Sequence, residues 1–520
     1  MLYPIGIQDF ESLRTGGYLY IDKTALIYKL QSEGKYYFLS RPRRFGKSLL
    51  ISTMEAYFLG KKELFKGLAS EQLEQNWTVY PVLHLDLNTA EYRKENDLSE
   101  ELNRNLLRWE SVYGKGEGEV SPSQRFAGVI ERACNQTGQK VVILIDEYDK
   151  PLLNSIGNPE LQDCYRSQMK AFYSVMKTQD RYIKFGFITG VTRFSKVSIF
   201  SDLNNFTDIS MDPRYVEICG ITEQELHDNL DAEVEELAIA NDLTKEECYA
   251  QLKEYYDGYH FRQNSVGIYN PFSLLNTLSS KVFSDYWFET GTPTFLVQLL
   301  KKSNYNLNEL VESEVTTSTL SDIGNMDRNP ISVIYQSGYL TIKGYDKRFK
   351  QYRLGFPNRE VEEGFTQYLS KSFTKMDSVS AFDIKNFVLE LEAGKVESFM
   401  RRMESLFADN DYRVQGNQEL YFQNVLYVFF KLLGFYVEVE RPTSDGRMDL
   451  IVKTDDYIYI FEFKLDKSAD EALQQIEDKG YAQPYAADPR RLYKIGVNFS
   501  SERRCIGEWK IVEKPLTIDH

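Results

Sequence analysis

The sequence predicts an α/β protein in three parts: a mainly parallel sheet with crossover helices over residues 1–210, a largely helical region over 211–380, and a second α/β unit over 381–520. Three observations carry this. First, apolar runs at 36–40 (YYFLS), 80–87 (YPVLHLDL), 140–146 (KVVILID) and 183–189 (IKFGFIT) are separated by segments of helical period such as 47–60 and 160–178. Buried apolar strands with helices between them indicate a parallel sheet covered on both faces. Second, helical periodicity dominates 221–256, 270–280 and 293–303, with an aromatic-rich strand pair near 331–354. Third, helices near 384–408 and 416–434 lead into a hairpin at 447–464, a helix at 469–480 and a strand near 492–499.

Composition narrows the function. Hydrophobic residues make up 42% and charged residues 27%, ordinary values for a globular chain. There is no apolar run of about 18 residues to span a membrane, and the N-terminus lacks the basic segment and apolar run of a secretory signal. The five cysteines are scattered without a CxxC pair, which points to reduced thiols in a cytoplasmic protein rather than to a disulfide frame or zinc site. A net charge of −15 argues against a general coating of nucleic acid, though not against a local basic groove.

The first motif lies at a strand-to-helix turn, Arg41-Pro42-Arg43-Arg44-Phe45-Gly46-Lys47-Ser48. It matches G-x-x-x-x-G-K-[ST] at Gly46, Lys47 and Ser48, with Arg41 in place of the first glycine. Gly46 lets the backbone turn its N–H groups toward phosphate oxygens, and the helix N-terminus adds partial positive charge. Lys47 is expected to reach the β- and γ-phosphates and Ser48 to ligate magnesium. Arg44, Phe45, Gly46, Lys47, Ser48 and Leu49 are thus the candidate phosphate cradle of a nucleoside triphosphate. The plain alternative is a basic turn without a ligand.

About 100 residues further on, Val141–Ile145 end in Asp146 and Glu147. Ligands bind beyond the carboxyl ends of strands in an open parallel sheet. Asp146 is expected to hold magnesium there, and Glu147 to polarise an attacking water. A third strand, Phe185–Ile188, ends in Thr189, Thr192 and Arg193; a threonine could sense the γ-phosphate and Arg193 could neutralise charge during transfer.

The last unit holds a second constellation. With a two-residue turn at Asp455-Asp456, strands 447–453 and 458–464 pair so that Asp449 lies opposite Glu462 and Arg447 opposite Lys464. Met448, Leu450, Val452, Tyr459, Phe461 and Phe463 form a core face; Ile451, Ile458 and Ile460 lie near the turn on the other. Two opposed carboxylates repel each other unless a divalent cation sits between them, and oxygen ligands suit magnesium or manganese. Asp449 and Glu462 are therefore candidate metal ligands, with Lys464 orienting a nucleophile or stabilising charge; the chemistry that fits is phosphodiester hydrolysis. Ser468–Glu471 reads as a capping box that starts a helix bearing Gln474 and Gln475, and Glu419 offers a further carboxylate.

With these residues in view, R-P-R-R-F-G-K-S and L-I-D-E-Y-D-K-P resemble the bacterial AAA-ATPase-like proteins, and G-R-M-D…F-E-F-K…A-L-Q-Q-I resembles the PD-(D/E)XK nuclease superfamily. Tyr20–Thr24, Tyr256–Tyr259 and Tyr269–Phe272 are similar to further motifs of the first family. The resemblance implies an AAA-type P-loop core that takes ATP and Mg2+, a helical or winged-helix lid, and a restriction-endonuclease-like domain that cuts DNA or RNA. It places Lys47, Ser48, Asp146 and Glu147 at the ATPase positions and Asp449, Glu462 and Lys464 at the nuclease triad. The expected function is nucleotide-regulated cleavage of nucleic acid, with a nucleotide-switched binding module as the alternative; an oligomer is possible, since AAA-type sites often take an arginine from a neighbouring subunit.

Overall fold

The computed structural model describes residues 1–193, 205–289, 294–310, 313–321, 330–373, 381–408, 418–440 and 449–514. Among the sequence-derived positions, Gly446, Arg447 and Met448 lie outside the described residues, as do the side chains of Glu419 and Asp449. The chain forms two compact units, one of Met1–Gly291 with Glu312–Val361, the other of Thr292–Val311 with Glu362–His520.

The first unit is built on five parallel strands: β1 (Tyr36–Ser40), β2 (Val82–Asp86), β3 (Val141–Asp146), β4 (Ile183–Gly190) and β5 (Thr207–Asp208), in spatial order β2-β3-β4-β1-β5. Every residue of β3 is buried, as its unbroken apolar run requires of a central strand. The crossover helices carry clear start signals. Ser121 and Gln124 make a reciprocal capping box, with Pro122 at the first helical position of Pro122–Thr137, and Asn158 caps Pro159–Tyr173 by accepting from Leu161 N. The strand order places β4 between β1 and β3. The turns after these three strands therefore open at one edge, where the order reverses.

The rest of this unit is helical, with small sheets. The expected segment 221–256 is two helices, Glu223–Ala240 and Lys245–Tyr256, because Thr244 and Glu247 form a new capping box after Asn241 and Asp242. Two short strands, β6 (Ile221–Thr222) and β7 (Ile268–Tyr269), pair antiparallel. Strands β8 (Glu314–Thr316), β9 (Thr341–Asp346) and β10 (Gln351–Gly355) form an antiparallel sheet in order β8-β10-β9. The strand pair expected near 331–354 is thus confined to its second half, since Ile331–Gln336 is a helix.

The second unit carries helices Ala381–Glu392, Val396–Ala408 and Gln418–Leu433 beside a five-stranded sheet. Its strands are β11 (Glu438–Glu440), β12 (Asp449–Lys453), β13 (Tyr457–Leu465), β14 (Arg491–Ser500) and β15 (Cys505–Lys514), in that spatial order; β13 and β14 are parallel and the other pairs antiparallel. The helix expected at 384–408 breaks in two at Gly394, which takes φ 70°. The hairpin register is the expected one, Asp449↔Glu462 through Lys453↔Ile458. Its second face is not left half-exposed: the Ala469–Asp478 helix covers it, and Ile451, Ile458 and Ile460 pack with Ile476 and Leu492. Gly496 on β14 makes this close approach possible, because a Cβ there would lie 2.3 Å from the Ala469 carbonyl oxygen.

Candidate functional site

The first site forms at the open edge of the parallel sheet. After β1 the chain takes left-handed backbone at Arg44 (φ 67°) and Gly46 (φ 88°) before the Lys47–Phe58 helix begins. Such reversals of handedness turn successive N–H groups into one concavity that suits an anion. A Cβ on Gly46 would meet nothing within 4 Å, so glycine serves the dihedral angle there and not a lack of space.

Lys47 is buried, and its Nζ donates to the carbonyls of Arg41 and Pro42, both at 3.1 Å. It also lies 3.7 Å from Glu147 Oε1. The Ser48 hydroxyl lies close enough to the Asp146 carboxyl to lower its pKa, so the two candidate magnesium ligands are neighbours. Burial, reinforced by the neighbouring charges of Glu147 and Asp86, raises the Asp146 carboxyl to about 6 despite the lowering influence of Ser48 and Lys47. Asp86 ends β2 directly beside Asp146 in the sheet register. Glu147 takes φ 50°, a left-handed conformation uncommon for a residue with a side chain, and its N–H is held by Asp146 Oδ1 at 2.9 Å.

The remaining predicted residues are placed as follows. Phe45 is buried against Tyr259 and Phe261, Arg44 stacks its guanidinium over Phe272, and Leu49 lines an apolar pocket beside Gly46. Thr189 is fully buried, and its hydroxyl donates to the Leu39 carbonyl at 2.9 Å; Thr192 gives its hydroxyl to Asp149. Arg193 pairs with Asp208 at 2.7 Å. Arg41, standing where the general motif has glycine, points away from the loop. Its guanidinium lies 3.9 Å from the Phe261 ring centre and donates to the carbonyls of Ser40 and Ser210 at 2.9 and 2.8 Å.

The second site lies on β13. Glu462 is fully buried; its Oε1 accepts from Lys464 Nζ at 2.6 Å, and its Oε2 has no hydrogen-bond partner among the described residues. Lys464 also donates to Gln475 Oε1. Gln474 points elsewhere, bonding Asp478 at 2.8 Å, so only one of the two glutamines faces the carboxylate. The capping box that starts this helix is half made: Ser468 accepts from Glu471 N, while the Glu471 carboxylate accepts from the Ser468 hydroxyl instead of from its backbone N–H. Among the described residues no group of three or more His, Cys, Asp or Glu side chains is placed to hold a metal ion. A buried carboxylate oxygen without a donor carries a desolvation cost that a divalent cation would remove, and the Asp449 backbone lies directly opposite. The described part of the site, one buried carboxylate oxygen without a donor, has the oxygen chemistry that a divalent cation takes.

Three residues escaped the sequence reading. Asp149 is fully buried beside Thr192, Asp86 adds a carboxylate next to Asp146, and Trp287 donates its indole N–H to the Arg43 carbonyl at 3.1 Å. Asp149 stands within the same L-I-D-E-Y-D-K-P run as the acidic pair, which was its one available signal. Asp86 ends an apolar strand as Asp146 does. Nothing in the sequence marks Trp287.

A five-stranded parallel sheet with a P-loop-like turn after β1 and paired acids after β3 defines an AAA-type ATPase-like domain, and the E-x-K strand over a covering helix defines a PD-(D/E)XK-like one. The comparisons agree. A family model described as "Predicted AAA-ATPase" matches residues 4–200, and one described as "PD-(D/E)XK nuclease superfamily" matches 417–509. The chain is 35% identical over 518 residues to an "Uncharacterized protein in vnfD 5'region" of Azotobacter chroococcum mcd 1, a match that spans 97% of each. The chain belongs to the AAA-ATPase-like proteins that carry a C-terminal PD-(D/E)XK nuclease-superfamily domain. Among the described residues no helix is long and apolar enough to cross a membrane.

Proposed function

We propose that the protein binds and hydrolyses ATP in its first unit and cleaves nucleic acid with Mg2+ in its second, under control of the nucleotide. The observation that carries the ATPase reading is the ion pair of Lys47 with Glu147 at the sheet edge, beside Asp146 at the end of β3. Lys47 and the backbone of Arg44–Leu49 would receive the phosphates. Beside Gly46, the apolar pocket lined by Leu19, Ile21, Leu49, Leu50, Ile221 and Leu275 would receive the base. Mg2+ held by Ser48 and Asp146 would neutralise phosphate charge, and Glu147 would orient the water. Arg193 is the candidate cation for charge developing in transfer.

In the second unit, Asp449 and Glu462 would hold the metal that polarises the scissile phosphate, and Lys464 would stabilise charge beside it. The buried, donor-less oxygen of Glu462 supports this reading. The net charge of −15 favours one alternative, a nucleotide-switched nucleic-acid- or protein-binding module with one or both catalytic centres inactive.

The test uses the full chain with plasmid, single-stranded DNA and RNA substrates, with and without ATP and Mg2+, beside Lys47→Ala, Glu147→Gln and Glu462→Gln. Cleavage that needs Mg2+ and Glu462 and changes with ATP supports the proposal. Cleavage indifferent to nucleotide removes the regulation, and nucleic-acid binding without cleavage in every protein supports the switch.

A further inference from the structure

Asp149 is a fully buried carboxylate that the reading above does not use. It accepts from Thr192 N at 2.6 Å, from the Thr192 hydroxyl at 2.5 Å and from Val191 N at 3.3 Å. Its neighbour Tyr148 closes the same grip from the other side: Tyr148 N donates to the Thr189 carbonyl at 3.1 Å and the Tyr148 hydroxyl to the Thr192 carbonyl at 3.0 Å. The turn that follows Asp146 and Glu147 therefore holds Thr189, Val191 and Thr192 at and just beyond the end of β4. Gly190 between them allows this approach, since a Cβ there would lie 2.3 Å from Asp149 Oδ1 and 2.7 Å from the Tyr148 ring. The carbonyl of Gly190 in turn accepts from Arg41 N at 3.2 Å, so the first residue of the phosphate loop hangs on the same strand end.

A buried carboxylate is a costly way to fill space, and an apolar side chain of similar volume would fill it better. What a carboxylate offers is directional acceptance from adjacent N–H and O–H groups. Here those groups immediately precede Arg193, whose own N–H is held by Gln336 Oε1 at 2.6 Å. The Thr192 hydroxyl, buried and committed to Asp149, is not available to sense a phosphate.

We propose that Asp149 is a positioning residue: through Thr192 it locks the Arg193 end of β4 to the Glu147 turn, so that both side chains keep one fixed geometry around the nucleotide's terminal phosphate. This rests on the ATPase reading above. Displacing a reacting geometry by about 1 Å can lower a rate about a hundredfold while leaving binding largely intact.

The experiment measures steady-state ATP hydrolysis by the full chain with Mg2+ and, separately, equilibrium binding of a fluorescent ATP analogue, for wild type, Asp149→Ala, Asp149→Asn, Thr192→Val and Thr192→Ser. Asp149→Ala is expected to lower kcat about tenfold or more with the analogue's Kd changed less than about threefold. Thr192→Val, which removes one of the three bonds, should lower kcat by about threefold, and Thr192→Ser, which restores the hydroxyl, should recover it. Asp149→Asn, still an acceptor, should fall between. Should Asp149→Ala fail to fold, the Thr192 pair carries the test. Equal kcat across the folded variants overturns the proposal, as does a loss of kcat and binding together in proportion to the unfolded fraction. A wild-type chain that binds the analogue no better than Lys47→Ala overturns the ATPase reading itself, and the positioning role with it.

Discussion

Replacing Arg41 by methionine separates two roles that a P-loop arginine could play. The guanidinium is 1% exposed and makes two short hydrogen bonds, to Ser40 O and Ser210 O, and two long ones, to Tyr215 O at 3.3 Å and Val216 O at 3.4 Å. A bond from a charged donor contributes about 1.5–3 kcal/mol, so the short pair is worth about 3–6 kcal/mol; the long pair adds little. Desolvation offsets part of this, as the guanidinium's pKa, lowered to about 10 mainly by burial, attests. Methionine keeps most of the volume and a sulfur–ring contact with Phe261 worth about 0.3–1.5 kcal/mol. The net loss is about 2–4 kcal/mol, which for a unit of this length lowers Tm by about 3–6 °C. Arg41→Met is followed by thermal melts and by titration with a fluorescent ATP analogue at a temperature where it stays folded. The expected result is a lower Tm with the analogue's Kd within about threefold of wild type. An unchanged Tm with a tenfold or greater loss of affinity would show that the guanidinium serves the phosphates and that its buried placement is mistaken.

Gly190→Ala forces a methyl group against Asp149 and the Tyr148 ring, and chemical denaturation should show a loss of about 1–3 kcal/mol. The Asp146 carboxyl, raised to about 6 chiefly by burial, holds its proton more tightly folded than unfolded. Its contribution to stability therefore falls as pH rises from about 4 to about 6, whereas Mg2+-dependent nucleotide affinity, which needs the ionised form, rises through that window; calorimetric titrations from about pH 5 to 7.5 check the second trend. In the second unit, Mg2+ at ten times its dissociation constant should stabilise the wild-type fold by about 1.4 kcal/mol, and Glu462→Gln should abolish that gain in thermal melts.

Where one local rule decides the outcome, the sequence sufficed. The apolar runs of β1, β3 and β4 became strands because a strand buried on both faces needs an unbroken apolar stretch, and the edge strand β2 followed the alternation of a strand with one face buried. The hairpin register followed from the turn alone, and it set Asp449 opposite Glu462. Features that depend on a distant neighbour were not legible. Ile451, Ile458 and Ile460 alternate with a core face as if half-exposed, and only the helix seated over Gly496 makes them interior. Thr189 and Thr192 stand at a strand end where a phosphate sensor belongs, yet both hydroxyls are taken by groups about 150 and 43 positions away in the chain.

The aromatic motifs Tyr256–Tyr259 and Tyr269–Phe272 show how such distant terms enter the site. They pack, as aromatic clusters do, and part of what they pack on is the P-loop-like turn after β1. Asn270 accepts from Phe272 N and Ser273 N and so starts the Pro271–Ser280 helix with Phe272 beneath the Arg44 guanidinium. Gly258, at φ 92° and with the Pro357 carbonyl oxygen 2.2 Å from any Cβ, turns the chain so that Tyr259 meets Phe45 at 4.8 Å between ring centres. Phe261 takes Arg41, Trp287 takes the Arg43 carbonyl, and Pro42 lies where a side chain on Gly338 would clash. Residues 41 to 45 are thus each held by the part of the unit that follows the parallel sheet. A standard phosphate loop gains its shape from glycine at its first position; here the shape is imposed from outside, and an arginine that reaches outward to be held is a workable first residue. The same contacts mean that any shift of the loop on binding phosphate must move these aromatic side chains, and that makes them the first elements through which nucleotide occupancy would be felt.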